Sequence, residues 1–414
     1  MPNKIHVKFA GLELESPLIA SAGPWTRTVR QIEDLAKAGI GAVVTKSTYP
    51  EDEYAQVMKP YAPHRFPDCR PKYTKSGRDI YNWVAGDSEI PAEEYAQTLS
   101  ELKKRVDIPI IASVKATTPN GYARTVRMFE DAGVDAIELD FICPMPFLAA
   151  ANFVGLRAAY LYPENVRDVI VTCKRNVSIP VGLKTPFNQA DPYPLLEAIK
   201  ASKVDFVCVT YSPAAMAGID LDTGKPYLPA STTGISSPMR RLINYRYVVL
   251  TAQTLQKDTP PLAASGHVMT WRDCVEYIMY GCTCVQVNQV LMRKGPEVIT
   301  KINDDLVEFL DKKEYSNITE LRGMALPHLL PQQRFYDVYG SQKGKTKDAI
   351  LAEVVPGLCN QCLLCVKTCP NYAITMGDEE PIFDKAACQG CGLCVANCPT
   401  GALKLTGLET LYVD

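Results

Sequence analysis

The chain has 414 residues, of which 47% are hydrophobic and 22% are charged, and its formal net charge is −2. These values are typical of one or more globular domains with a substantial core, and they do not suggest a nucleic-acid partner. No run of about 18 apolar residues occurs and residues 1–16 lack an apolar signal-peptide core, so we expect neither a membrane span nor secretion.

Residues 1–309 repeat a pattern in which a short apolar run precedes an amphipathic segment. The apolar runs are residues 17–23, 42–48, 109–115, 136–142, 180–186, 205–212, 261–267 and 284–290. Helices are predicted at 26–38, 120–132 and 163–176, and a helical pattern follows each of the last four runs. Strands that are apolar on both faces and separated by helices are typical of parallel sheets. Eight such units favour a (β/α)8 TIM barrel, and the absence of a G-x-G-x-x-G turn disfavours a Rossmann domain.

Two stretches interrupt or follow this pattern. Residues 49–91 are polar and broken by prolines. In a barrel they lie at the C-terminal face, where insertions shape the substrate pocket, and surface decoration is the alternative. Residues 310–350 are predicted to form a linker that wraps the barrel, and residues 351–414 a small α+β ferredoxin-like domain.

The predicted ferredoxin domain carries two cysteine motifs, CNQCLLCVKTCP at 359–370 and CQGCGLCVANCP at 388–399. Each has the C-x2-C-x2-C-x3-C-P spacing of bacterial ferredoxins, in which the fourth cysteine binds the other of two [4Fe–4S] clusters. We therefore assign Cys359, Cys362, Cys365 and Cys398 to one cluster, and Cys388, Cys391, Cys394 and Cys369 to the other. Zinc knuckles and disulfides are the alternatives, but zinc sites use paired ligands rather than a triplet.

The other seven of the 15 cysteines are scattered, most of them inside apolar runs. Cluster thiolates and unpaired core cysteines together predict a reducing, cytoplasmic environment.

The predicted strand ends hold the candidate chemistry, because catalytic groups of a barrel gather there. Lys46 and Lys184 stand at such ends, and buried ammonium groups are unfavourable unless paired. Salt bridges with Asp140 or Glu138 are one explanation, and a bound anionic cofactor is the other. The ends of the last two strands are the usual phosphate site of such a barrel. With iron–sulfur clusters, this favours FMN, which exchanges hydride with substrates and single electrons with clusters.

The segments SPLIASAG, GAVVTKS, ELDFICP, VGLKTP, TGISS and LAASGH occur in this order before the doubled cysteine motif. With them the chain resembles the flavin-dependent dihydroorotate dehydrogenase family, and the added cluster domain resembles the NAD-dependent dihydropyrimidine dehydrogenases. The resemblance covers nearly the whole chain. It implies an oxidoreductase that acts on a CH–CH or C=C bond next to a carbonyl or imine.

The resemblance also implies roles for individual residues. Cys143 would be the proton donor or acceptor, since a thiol with a reference pKa of about 8.5 holds a proton at neutral pH; an inert core cysteine is the alternative. Lys46 and Lys184 would lie beside the flavin ring, where a cation stabilises the reduced form. The other flavin contacts would be Ala22, Gly23 and Ser47 at the ring, and Gly234, Gly266, His267, Asn288 and Gln289 at the ribityl chain or phosphate.

Two parts of the site depart from the family pattern. Gly-Gly is usual where Gly266-His267 stands, and a small pair where Asn288-Gln289 stands, although both replacements can donate hydrogen bonds. The family reads its pyrimidine ring with asparagines. The candidate substrate residues are Asn82, which matches, Asp140 and Tyr211, which replace asparagines, and Ser212.

These departures bear on the substrate. An ionised carboxylate only accepts hydrogen bonds, so Asp140 cannot read a ring as asparagine does. The apolar loop 145–153 favours a substrate more hydrophobic than uracil, with a loop that packs against the barrel as the alternative.

The expected reaction moves hydride between flavin and one carbon while Cys143 exchanges a proton with the neighbouring carbon. Electrons would pass through the two clusters from an NAD(P)H-oxidising flavoprotein subunit or another external donor, and we expect an oligomer. Dihydropyrimidine dehydrogenase is the closest named activity. The alternatives are the same chemistry on an aromatic compound, a cyclic enone or another heterocycle, and a non-catalytic electron-transfer subunit.

Overall fold

The computed structural model describes most of the chain in several stretches. They are residues 3–53, 81–83, 90–141, 163–185, 187, 191–210, 214–215, 219–226, 233–329 and 350–407, with only the backbone described at 81–83, 214–215 and 233–236. The chain divides into two compact units, Met1–Leu326 and Pro327–Asp414. Ile318 and Leu321, inside the predicted linker, are fully buried in the core of the first unit. The predicted boundaries at 309 and 350 stay a prediction.

Eight parallel strands of the first unit close into a barrel, which confirms the predicted TIM barrel. Barrel strands 1 to 8 are Leu18–Ala20, Ala42–Val44, Ile110–Val114, Ala136–Asp140, Val181–Lys184, Phe206–Thr210, Leu262–Ser265 and Cys284–Val287. Each strand pairs with the next, and barrel strand 8 closes the sheet on barrel strand 1, with Val287 opposite Ala20. Every observed strand lies within its predicted apolar run. The runs are longer than the strands, since each run also includes residues that leave the sheet at its C-terminal edge.

The helices of the first unit follow the strands along the chain. In the described stretches they are Val29–Lys37, Ala92–Leu102, Pro119–Asp131, Pro163–Lys174, Tyr193–Ser202, Pro238–Leu255, Trp271–Met279, Gln289–Lys294 and Val298–Lys312, with short 3-10 helices at Pro24–Thr26, Gln256–Asp258 and Ile318–Leu321. A further 3-10 helix, Leu326–His328, begins at the last residue of this unit. The first of these helices, Val29–Lys37, buries an apolar face that includes Ile32 and Leu35. Within the described stretches, no helix combines the length and apolarity that crossing a membrane requires.

An N-terminal hairpin packs an aromatic ring against the N-terminal end of the barrel. The strands Val7–Phe9 and Leu12–Leu14 form a hairpin, which the sequence patterns did not predict. The ring of Phe9 lies 5.1 Å from the ring of Phe206, the first residue of barrel strand 6. A Cβ atom at Gly182 would lie 2.1 Å from the Phe206 ring, so this position requires glycine. The opposite end of the barrel is therefore the one available to a ligand.

The described part of the second unit is a small α+β fold, as predicted. Strand Leu351–Val354 pairs with Leu403–Thr406, strand Ile374–Met376 pairs with Pro381–Phe383, and the short helices are Leu364–Thr368 and Leu393–Ala396. The buried apolar residues of its described part are Ala352, Ala373, Ile374, Cys394, Ala402 and Leu403. Such a small core gives the unit little stability of its own.

Candidate active site and iron–sulfur sites

The C-terminal rim of the barrel brings together predicted site residues that are distant in sequence. Asp140 and Lys184 end barrel strands 4 and 5, and Lys46 follows barrel strand 2. These three charged side chains are buried, with no more than 6% of each residue exposed. Buried charges require partners, so their surroundings show what each of them does.

Lys184 lies in a polar cluster inside the barrel. Its Nζ donates hydrogen bonds to Ser21 Oγ at 2.8 Å and to Gln286 Oε1 at 2.9 Å. It also lies 3.5 Å from Glu138 Oε1, and Gln286 Nε2 donates to Glu138 Oε2. Burial is the largest single effect and disfavours the charged ammonium, but the neighbouring acidic groups, Glu138 foremost, together outweigh burial and raise the pKa of Lys184 above its usual value. The salt bridge offered as one explanation of Lys184 is therefore present.

A third buried lysine, Lys115, belongs to the rim and was missed by sequence reasoning. Its Nζ lies 3.7 Å from Asp140 Oδ2. The same carboxylate oxygen accepts a hydrogen bond from Ser47 Oγ at 2.8 Å, and Ser47 Oγ lies 2.9 Å from Ser113 Oγ. Asp140 is thus paired with Lys115 and held by Ser47. The sequence could have indicated this residue, because Lys115 is the last residue of the predicted apolar run 109–115.

The ends of barrel strands 7 and 8 hold polar atoms that lack partners. His267 Nδ1 and Asn288 Oδ1 are buried and form no hydrogen bond within the described stretches. The His267 ring is hydrogen-bonded to Gln289; burial lowers its pKa, and the nearby Arg241 guanidinium acts in the same direction. His267 is therefore neutral at pH 7. Buried polar atoms are normally hydrogen-bonded, so these two atoms are candidates to contact a bound group.

The backbone at these strand ends explains where the family pattern has glycine. His267 has a φ of +54°, in the left-handed region that favours glycine. Gly266 is required by packing, because a Cβ atom there would lie 2.6 Å from Tyr277 Oη. At Gly23 a Cβ atom would lie 2.5 Å from Asn288 Oδ1, so the ends of barrel strands 1 and 8 come close together. Ala22, beside Gly23, is half-buried.

Two arginines at the start of helix Pro238–Leu255 were also missed. Arg240 Nη2 donates to Thr210 Oγ1 at 3.1 Å, at the end of barrel strand 6. Arg241 forms an ion pair with Asp273 and lies close enough to His267 to affect its pKa. They bring positive charge to the side of the rim where a phosphate was expected. The sequence signal was the Arg-Arg pair that follows TGISSPM.

Part of the insertion after barrel strand 2 returns to segments that follow barrel strand 6. The backbone of Tyr81–Trp83 pairs with Thr233–Ser236, with Asn82 opposite Ile235 and Gly234 opposite Trp83. The predicted substrate residue Asn82 and the predicted flavin residue Gly234 therefore lie in adjacent strands. Other predicted residues, namely Cys143, Tyr211, Ser212 and the loop 145–153, lie outside the described residues, and their roles stay predictions.

This rim fits FMN. The Lys184 ammonium lies beside Ser21, in the segment predicted to line the flavin ring, and two unpartnered polar atoms stand where the ribityl chain and phosphate were expected. Lys46 and Lys184 would hold the ring, while His267 and Asn288 would hold the chain or the phosphate. Such a cofactor would explain atoms that are otherwise unfavourably buried.

The second unit contains two cavities, each lined by four cysteines. One is lined by Cys369, Cys388, Cys391 and Cys394, and the other by Cys359, Cys362, Cys365 and Cys398. Each set takes three cysteines from one motif and the fourth from the other. The donor chemistry fits a [4Fe–4S] cluster in each cavity.

The loops between these cysteines have the same backbone shape in both motifs. Gln361 and Leu363 in the first motif have φ values of +58° and +59°, and Gly390 and Gly392 in the second have +63° and +75°. Left-handed residues curl the chain, so that both loops bend around a common centre. The backbone N–H of Ala402 donates to Cys398 Sγ at 3.2 Å, as expected for a thiolate ligand.

Comparison with known proteins agrees with this arrangement. The family model for dihydroorotate dehydrogenase matches residues 4–310, and the model for a 4Fe-4S dicluster domain matches residues 358–402. The "Dihydroorotate dehydrogenase B (NAD(+)), catalytic subunit" of Thermoplasma acidophilum is 27% identical over 322 residues, which is 78% of this chain and 99% of the relative. The proteins of the same name from Pyrococcus horikoshii and Methanocaldococcus jannaschii are 28% and 26% identical, each over 78% of this chain and 98% of the relative.

These findings fix the cofactors and the class of enzyme. Members of the matched family bind FMN and act on CH–CH bonds, and the dicluster domain binds two [4Fe–4S] clusters. The chain belongs to the dihydroorotate dehydrogenase family and is an FMN-dependent iron–sulfur oxidoreductase.

Proposed function

We propose that this protein is the catalytic subunit of an enzyme that reduces a C=C bond next to a carbonyl or imine, with dihydropyrimidine dehydrogenase as the closest named activity. The observation that supports this most strongly is the presence, in one chain, of a barrel rim with buried cations and of two four-cysteine cavities. A one-electron relay is useful to a barrel only if the barrel holds a group that converts single electrons into hydride transfer.

The proposed mechanism assigns the proton to Cys143 and the orientation of the cofactor to the lysines. FMN, when bound, supplies hydride transfer to one carbon of the substrate and one-electron exchange with the clusters. Lys46 and Lys184 hold the ring edge. Cys143, three residues beyond Asp140, keeps a proton on Sγ and delivers it to the carbon next to the one that accepts hydride.

Asp140 bears on the choice of substrate. Its carboxylate is paired with Lys115 and accepts a hydrogen bond from Ser47. An ionised carboxylate accepts hydrogen bonds and cannot donate them. We therefore propose that the substrate presents an N–H or O–H group to the end of barrel strand 4.

We propose that the clusters receive electrons in the cytoplasm from an NAD(P)H-oxidising flavoprotein subunit. The relatives are named as catalytic subunits of NAD(+)-dependent enzymes, which supports a separate subunit that handles the nucleotide. Co-purification of a tagged chain from its own host, followed by NADH-dependent bleaching of the flavin, tests this partner.

Rapid mixing of the anaerobically reduced holoenzyme with candidate substrates tests the reaction. Uracil, thymine and a cyclic enone should be compared by the rate at which each re-oxidises the flavin. Cys143→Ala should slow that step by roughly 10²–10⁴-fold, because an unassisted proton transfer replaces a positioned acid. The matched control is Cys173→Ala, which changes a buried cysteine in helix Pro163–Lys174.

An unchanged re-oxidation rate in Cys143→Ala would show that the proton-transfer assignment is wrong. Purified protein that lacks FMN would favour the alternative of an electron-transfer subunit without catalysis. Inactivity on uracil and thymine together with activity on another ring would favour the alternative of a non-pyrimidine substrate.

A further inference from the structure

Glu138 is a carboxylate that the proposed mechanism does not use. It belongs to barrel strand 4 and is fully buried inside the barrel. Its Oε1 lies 3.5 Å from Lys184 Nζ and its Oε2 accepts a hydrogen bond from Gln286 Nε2. Gln286 in turn accepts a hydrogen bond from Lys184 at 2.9 Å, so both partners of the ion pair are bonded to one amide.

A buried ion pair contributes little net stability to a fold. Desolvation of two charges offsets most of their attraction, and apolar residues of similar volume are often as stable. The fully enclosed position also gives Glu138 no route to a substrate. What Glu138 can affect is the electric field of Lys184 at the rim, because the two charges are opposite and close together.

That field matters to the flavin. Two-electron reduction with uptake of one proton leaves a negative charge at the N1–C2=O edge of the ring, and a nearby ammonium stabilises this charge. A carboxylate behind the ammonium weakens that stabilisation. The position of the ammonium does not depend on Glu138 alone, since Lys184 also donates hydrogen bonds to Ser21 and Gln286.

We propose that Glu138 is a positioning residue that acts through Lys184: its carboxylate offsets the field of the Lys184 ammonium at the flavin and so lowers the flavin reduction potential. This inference rests on the proposed place of Lys184 beside the flavin ring. The electrons come from the external donor that supplies the clusters. Glu138 therefore changes the reduction potential of the flavin and not the number of electrons transferred.

Potentiometric titration of the flavin in the holoenzyme under argon tests the proposal, with the clusters followed separately by electron paramagnetic resonance. Glu138→Gln and Lys184→Met break the same ion pair, and each leaves a buried charge unpaired, so both should lower stability. Their effects on the flavin should be opposite. Glu138→Gln should raise the midpoint potential and Lys184→Met should lower it, each by about a tenfold change in the two-electron equilibrium, or ~30 mV.

Gln286→Met is the matched control. It removes hydrogen bonds to both charged groups but changes no charge, so it should lower the thermal stability with a much smaller shift in potential. Shifts of the same sign in Glu138→Gln and Lys184→Met, or no shift in either, would overturn the proposal. A purely structural ion pair predicts one of those two results.

A second variant covers the case in which Glu138→Gln does not fold. Glu138→Asp keeps the charge and withdraws it by one methylene from Lys184, so a smaller increase in potential is expected, and an unchanged potential overturns the proposal. The titration needs no substrate. Opposite shifts therefore remain measurable even if every tested substrate fails and the proposed reaction is wrong.

Discussion

Alternation along barrel strand 4 places Glu138 and Asp140 on one face of the strand, two residues apart. Each carboxylate finds a lysine on a different neighbouring strand: Asp140 pairs with Lys115 after barrel strand 3, and Glu138 pairs with Lys184 on barrel strand 5. The sequence identified Lys184 as unusual and named both acids as partners. The sequence could not show which acid forms the ion pair. The sheet register places Asp140 directly opposite Lys184, yet Lys184 pairs with Glu138.

A single residue, Thr400, distinguishes the two cysteine cavities. Its Oγ1 lies 3.6 Å from Cys398 Sγ, whereas Asn371 takes the equivalent place in the other motif. Hydrogen bonds to cluster sulfurs favour the reduced state and so raise the potential. Thr400→Val should therefore lower the potential of one cluster; a bond that contributes about 0.5–1 kcal/mol corresponds to ~20–40 mV for one electron.

A redox titration monitored by electron paramagnetic resonance would measure the effect of Thr400→Val. The control is Thr375→Val, the same change at an exposed strand position, which should alter neither cluster. If both variants leave both cluster potentials unchanged, the contact between Thr400 and Cys398 does not affect the cluster potential.

At the scale of helices and strands, local patterns placed the elements and side-chain caps set their ends. The helices that follow Thr28, Thr118, Ser237 and Thr270 all begin with a side-chain oxygen that accepts a hydrogen bond from the N–H three residues later. The hairpin at Val7–Phe9 and Leu12–Leu14 was missed because its turn residues, Ala10 and Gly11, are not a common turn pair. Both have positive φ values, as a two-residue hairpin turn requires.

Thr28 offers a test of one cap. Its Oγ1 accepts from the Gln31 N–H, and the Gln31 side chain accepts from the Thr28 N–H at 3.0 Å. Because Thr28 is exposed, Thr28→Ala should lower the free energy of unfolding by about 1 kcal/mol through loss of the cap alone. Urea unfolding of the barrel unit measures this, and Thr28→Ser, which keeps the hydroxyl, should recover most of the loss.

At the scale of the whole molecule, the two compact units owe their stability to different sources. The first is held by a large continuous core of barrel and helix side chains, whereas the described part of the second has only six buried apolar residues. A core of that size gives little stability by itself, so we expect cluster binding to supply much of the folding free energy of the second unit.

Removal of the clusters by oxidation and chelation should therefore expose the second unit and leave the first intact. Limited proteolysis with mass spectrometry should find new cleavages within residues 350–407, at rates at least tenfold higher than in the holoenzyme. Retention of FMN and an unchanged cleavage pattern in residues 90–141 serve as the internal control. Equal resistance of the second unit with and without clusters would contradict this view of its stability.

The sequence by itself determined the barrel, the ferredoxin-like domain and the cofactor classes, because apolar runs and cysteine spacing are local properties of the chain. Only the tertiary structure decided which charges meet. Lys184 bonds to Ser21, 163 residues away, and to Gln286, 102 residues away. Residues from barrel strands 4, 5 and 8 and from the end of barrel strand 1 become neighbours only when the sheet closes on itself, and no local pattern records that closure.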